Sequence, residues 1–160
     1  MQNELSYMVI FEYKLSPAWG VIDEEIFCVT ITDDSKNNVT TRFQGKEYTY
    51  TISQDDIELT KRIIQKMPGV FEIPKLLEPN DVLDGEMYSF FFSDGERSVA
   101  FKGFNILDYG RKPCKNATMA LRLAREINQV VLSPNKIRTR IPSKLQHWPK
   151  YEKRREEIKI

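Results

Sequence analysis

Val82-Leu-Asp-Gly-Glu-Met-Tyr-Ser-Phe-Phe-Phe-Ser-Asp-Gly-Glu-Arg-Ser-Val-Ala-Phe-Lys-Gly-Phe-Asn105 decides the fold class. Two β-rich runs flank Ser93-Asp94-Gly95-Glu96, and Asp-Gly between apolar runs is the strongest short-range hairpin signal. In a two-residue loop Asp94 and Gly95 would both take positive φ, which glycine accepts freely and aspartate tolerates. Residues 86–92 are apolar on both faces: Met87 and Phe91 point one way, Tyr88, Phe90 and Phe92 the other. Such a strand belongs inside a sheet, covered on at least one side.

Upstream, Tyr7, Val9, Phe11 and Tyr13 alternate with Met8 and Ile10, which predicts a first strand over residues 7–15. Ser16-Pro17-Ala18-Trp19-Gly20 breaks it, and Phe27, Val29 and Ile31 mark a second strand over 25–32. Residues 39–44 and 47–52 are further strand material, with Gly45 read as a bulge or bend between them. Ser53 then has the chemistry of an N-cap, and Asp55 and Asp56 suit the positive end of a helix. Ile57, Thr60, Ile63, Ile64 and Met67 form its apolar stripe, which Pro68-Gly69 stops. A second helix is predicted over 116–132, with Met119, Leu123, Ile127 and Val130 sharing a face and Ala120, Leu121 and Val131 alongside.

Shifted by 61 positions, residues 21–34 overlay 82–95 without a gap. Val21, Asp23, Glu25 and Asp33 meet identical residues, and Phe27, Val29 and Ile31 meet Tyr88, Phe90 and Phe92. The expectation is an α+β domain over residues 1–133, with a strand–strand–helix unit over 21–67 and 82–132 as the candidate internal repeat. Its sheet would be mainly antiparallel, with about five to six strands and two amphipathic helices packed on one face.

A chain of 160 residues, 41% hydrophobic and 29% charged, is long enough to bury one core without covalent staples. Nine of the 24 Lys and Arg residues but only three of the 23 Asp and Glu residues lie from Pro134 onward. That C-terminal extension, 134–160, therefore carries a formal charge of +6 and the remainder −5. Cys28 and Cys114 are too few for a disulfide framework and read as reduced thiols. With no basic segment leading into an apolar one at the start, and no apolar run of membrane length, the expected location is cytoplasmic, away from membranes.

Sharp catalytic motifs are missing. There is no glycine-rich phosphate loop, no His-Glu-x-x-His and no Gly-x-Ser-x-Gly, and the single histidine, His147, lies in the extension. The carboxylates Asp23, Glu24, Glu25, Asp81, Asp84 and Glu86 precede strands and read as solvated turn residues. No catalytic residue, metal ligand or cofactor is expected. Two stretches carry binding chemistry instead. Tyr109, Arg111, Lys112 and Lys115 place an aromatic and cations before the second helix, whose N-terminus favours anions. Arg138, Arg140 and Trp148 belong to the basic extension, where cations interleave with aromatics. The expected function is a small non-catalytic binding protein of accessory or immunity type, acting on a protein partner or on itself. Nucleic-acid binding through the extension is the alternative, and an enzyme of unknown class comes third.

Overall fold

The structure is a computed structural model that describes residues 8–17, 25–34, 36–77, 86–104 and 115–142. Six strands form one antiparallel sheet: β1 (Val9–Pro17), β2 (Phe27–Thr32), β3 (Val39–Phe43), β4 (Lys46–Tyr50), β5 (Glu86–Ser93) and β6 (Ser98–Phe104). Their order is β4-β3-β2-β1-β5-β6, so the first strand lies inside the sheet and β5 is interior, as its two apolar faces require. Two helices, α1 (Gln54–Gln65) and α2 (Lys115–Ile127), pack on each other, and α1 packs on β5. The α+β architecture is thus the one expected from the sequence.

Side chains on the core face lie in three rows across the strands. Ile31, Phe11 and Phe92 share one row; Val29, Tyr13 and Phe90 the next; Phe27, Leu15 and Tyr88 the third. All nine are buried. Aromatic rings meet between and along the rows, with Phe11–Phe92 centroids 5.6 Å apart and Tyr13–Phe90 also 5.6 Å apart, the latter edge to face. A bulge in β1 between Val9 and Phe11 adds one residue, and Ile10 and Phe11 are both fully buried there.

The 61-residue likeness has a geometric counterpart. Val29 and Phe90 flank the same Tyr13, and Ile31 and Phe92 flank the same Phe11. Yet β3 lies outside β2 on one side of β1, while β6 lies outside β5 on the other. β2 and β5 run parallel to each other and bury the same face, so the two hairpins are of opposite hand. No rotation superposes them. Packing against one shared strand explains the likeness without a duplicated unit.

Two turns differ from their sequence reading. The two-residue turn with both φ positive is Gln44-Gly45 (φ 50° and 90°), joining β3 to β4 where a bulge or bend was expected. At Asp94-Gly95 only Gly95 has positive φ (99°), because Ser93 and Ser98 pair around a longer loop. Asp94 serves there as a side-chain cap, accepting from the amides of Glu96 (2.9 Å) and Arg97 (2.8 Å). Burial alone would raise the Asp94 pKa, but those amides and the Arg97 guanidinium outweigh it and hold the carboxyl below its ordinary value. Arg97 also lies over the Phe71 ring, 4.2 Å from its centroid.

Ser53 caps α1 as expected, its Oγ accepting from the Asp56 amide at 3.1 Å. The second helix departs from regular α geometry at Asn128–Leu132, a π turn. Its extra residue rotates the buried face onward, so Val131 and Leu132 are buried while Val130, expected inside, is 40% exposed. Buried Asn128 accepts from Thr139 Oγ1 at 2.8 Å, and Ile137 and Ile141 join the core. The extension over 134–142 therefore packs on the body; its remainder lies outside the described residues.

Two buried hydroxyls, Tyr13 Oη and Thr41 Oγ1, find no hydrogen-bond partner among the described residues. An unsatisfied buried hydroxyl is held at a desolvation penalty of about 1–3 kcal/mol. Tyr13→Phe is therefore expected to leave stability unchanged or raise it by about 1 kcal/mol, read from the urea midpoint. A loss of similar size would show that the hydroxyl has a partner.

Candidate functional site

Behind α1 the chain turns through a short 3-10 segment, Pro68–Glu72, and the C-terminal end of α1 comes beside the start of α2. Between them lies a groove of about 770 Å³. One side is Lys66, Met67, Pro68 and Gly69; the other is Lys115, Thr118, Met119 and Arg122. The latter four recur at i, i+3, i+4 and i+7, which places them on one face of α2. Ala117, Ala120, Leu121, Leu123, Ala124 and Ile127 hold the helix to the core. Gly69 faces Met119 across the groove: a Cβ there would lie 3.4 Å from both Cε and Sδ of Met119.

The groove contains three cations and no carboxylate. Among the described residues, none of Lys66, Lys115 and Arg122 makes an ion pair. Lys66 sits at the C-cap of α1, where the helix dipole favours it. Lys115 opens α2, where the dipole opposes it, and the first turn carries no acidic residue. Such placement is unfavourable by roughly 0.3–1 kcal/mol. An anion in the groove would be attracted by all three.

Of the binding residues expected from the sequence and described in the structure, only Lys115 lines this groove. Arg138 and Arg140 are exposed on the segment after α2 and are not in its lining. Tyr109, Arg111, Lys112 and Trp148 lie outside the described residues. Sequence reasoning missed Lys66 and Arg122; Met67 and Met119, which it put on apolar stripes, do pack against the core and also line the groove. The legible signal was the Lys115, Thr118, Met119, Arg122 spacing, a polar stripe interrupted by one methionine.

The other chemistry-bearing groups are occupied structurally. Glu25 pairs with Arg42 (2.6 Å) and Lys14 (3.8 Å) on the sheet face away from the core rows. Glu86 accepts from the Tyr88 hydroxyl at 3.2 Å. Among the described residues no group of three His, Cys, Asp or Glu side chains could hold a metal ion, and no helix is long and apolar enough to cross a membrane.

Burial, and then the neighbouring Glu12 carboxylate, push the Cys28 thiol up to about 11. Burial likewise raises Tyr13 and Tyr88, with Glu86 adding to both. The folded thiol keeps its proton to higher pH than an unfolded one, whose ordinary value is 9.0. Its contribution to stability is therefore complete below about pH 9 and lost as pH rises toward 11. Near neutral pH the native protein is expected to leave Cys28 unalkylated by iodoacetamide, with labelling after denaturation, followed by peptide mass spectrometry. Rapid native labelling would show that the β2 face opens.

No protein-family model matches the chain, and no curated protein matches it.

Proposed function

We propose that this chain is a non-catalytic binding protein of accessory type that acts through protein–protein contact, its groove receiving an acidic partner segment with an apolar side chain. The observation that carries this reading is the meeting of three cations, none of them ion-paired among the described residues, with two methionines around one cavity. Methionine is flexible and polarisable, and suits a wall that adapts to varied apolar side chains.

Magnitudes assign the roles. Exposed ion pairs contribute only about 0.2–1 kcal/mol each, whereas burying a Leu- or Phe-sized side chain contributes about 1.5–3 kcal/mol. The methionine wall therefore supplies most of the affinity, and the cations supply orientation and association rate. A panel of short acidic peptides, with and without a central Leu or Phe, tests the reading by fluorescence anisotropy. Tightest binding is expected for acidic peptides that carry the apolar residue. Combining Lys115→Glu with Arg122→Glu should weaken binding about tenfold.

A simple anion or oligonucleotide site would behave differently. It would ignore the apolar residue and lose affinity steeply with salt. Oligonucleotide binding tighter than peptide binding at physiological salt would move the function to the exposed Arg138 and Arg140 and the basic extension.

A further inference from the structure

The two edges of the sheet are treated differently. On the β6 side, residues 75–77 close the edge: Lys102 N donates to Lys75 O at 3.0 Å, and Leu77 N donates to Lys102 O at 2.8 Å. On the β4 side no described residue pairs with the outer face of the strand, and Lys46, Glu47, Tyr48 and Thr49 are all exposed. An open edge of this kind is a template for another strand. We infer that β4 pairs antiparallel with β4 of a second copy of this chain, joining two sheets into one.

The register follows from the hairpin. A two-residue turn at Gln44-Gly45 makes the flanking Phe43 and Lys46 a hydrogen-bonded pair, and pairs alternate along the ladder. Tyr48 and Tyr50 then bond inward to β3, while the backbone groups of Glu47 and Thr49 point outward. A two-fold axis at Thr49 sets Thr49 against Thr49 of the second copy and Glu47 against its Thr51, each by outward backbone groups. In the same register Tyr48 meets Tyr50 of the other copy, and Tyr50 meets its Tyr48.

Those aromatic pairs fall on the face where Phe43 and Tyr48 already approach, with centroids 6.3 Å apart. Tyr48 is 42% exposed in the single chain. Aromatic cross-strand pairs are among the favourable ones, and no like charges meet, since Lys46 faces Ile52 and Glu47 faces Thr51. Strand β4 therefore complements itself in both hydrogen bonds and side chains.

Sedimentation equilibrium of the full chain tests the inference. A reversible monomer–dimer equilibrium is expected in the micromolar range. Thr49→Pro removes an outward amide without touching the β3 ladder, and is expected to raise the dimer dissociation constant about tenfold or more. Should circular dichroism show Thr49→Pro unfolded, Tyr48→Lys decides, since it sets a lysine against Tyr50 in both copies and should also yield monomer. Lys115→Glu leaves the dimer unchanged, which separates this surface from the groove. A chain that stays monomeric throughout, or a dimer that persists in folded Thr49→Pro or in Tyr48→Lys, overturns the inference.

Discussion

Phe92→Ala is expected to remove about 3–5 kcal/mol of stability, the range for truncating a buried phenylalanine. Phe92 is fully buried and opposes Phe11 across the β1–β5 pairing. Its ring lies 5.6 Å from Phe11, 6.0 Å from Phe90 and 6.1 Å from Phe101. Three strands share that cluster, so the surroundings cannot collapse into the void without moving backbone. Against a typical total of about 5–15 kcal/mol, the variant should be marginally folded. Its neighbour Phe91 supplies the control. Phe91 points to the opposite face, is only half-buried, and opposes Glu12 and Ala100. Phe91→Ala should cost only about 1 kcal/mol. Urea denaturation of both variants reads the difference as a shift in midpoint at constant slope. Equal losses would mean that the two faces of β5 have been exchanged.

Asn38→Leu is expected to destabilise by about 2–6 kcal/mol through hydrogen bonding alone, two buried backbone groups being stranded at about 1–3 kcal/mol each. Asn38 is 1% exposed, and its side chain stands in for a strand at the end of β4. Oδ1 accepts from the Ile52 amide at 2.9 Å, and Nδ2 donates to the Ile52 carbonyl at 3.4 Å. Leucine matches the volume but leaves both Ile52 groups unpaired where the chain passes from β4 into α1. Loss of hydrogen-exchange protection at the Ile52 amide, beside intact protection in β1 and β5, would localise the effect. An unchanged midpoint would show that water replaces the asparagine.

Strand identity and helix starts were legible because they depend on local chemistry. Alternation in residues 9–15, the two-faced apolar run 86–92, the Ser53 cap and the Pro68 stop all operate within a few residues. Ser16 and Pro17, expected to break the first strand, instead continue it opposite Met87 and Glu86. Strand order was not local: nothing near Tyr13 announces that two later strands will flank it. Turn geometry failed at Asp94 for a related reason. The carboxylate can cap a longer loop as readily as the residue can adopt positive φ, and register with β6 chooses between them. The π turn at Asn128, whose side chain accepts from Thr139 eleven residues on, has no local sequence signal, and it moved Val130 outward. In the groove, periodicity put Met67 and Met119 on apolar stripes, yet a stripe cannot show where the core ends. Lys66 and Arg122 were hidden among ordinary surface cations until the fold brought them beside Lys115.

Amide chemical-shift mapping, with an acidic, leucine-bearing peptide titrated into the full-length protein, tests the groove most directly. Saturable shifts should concentrate at Lys66, Met67, Gly69, Lys115, Met119 and Arg122, and the combined Lys115→Glu, Arg122→Glu change should suppress them while the remaining spectrum stays in place. Shifts centred on Arg138 and Arg140, or spread without saturation over the sheet, would contradict the account.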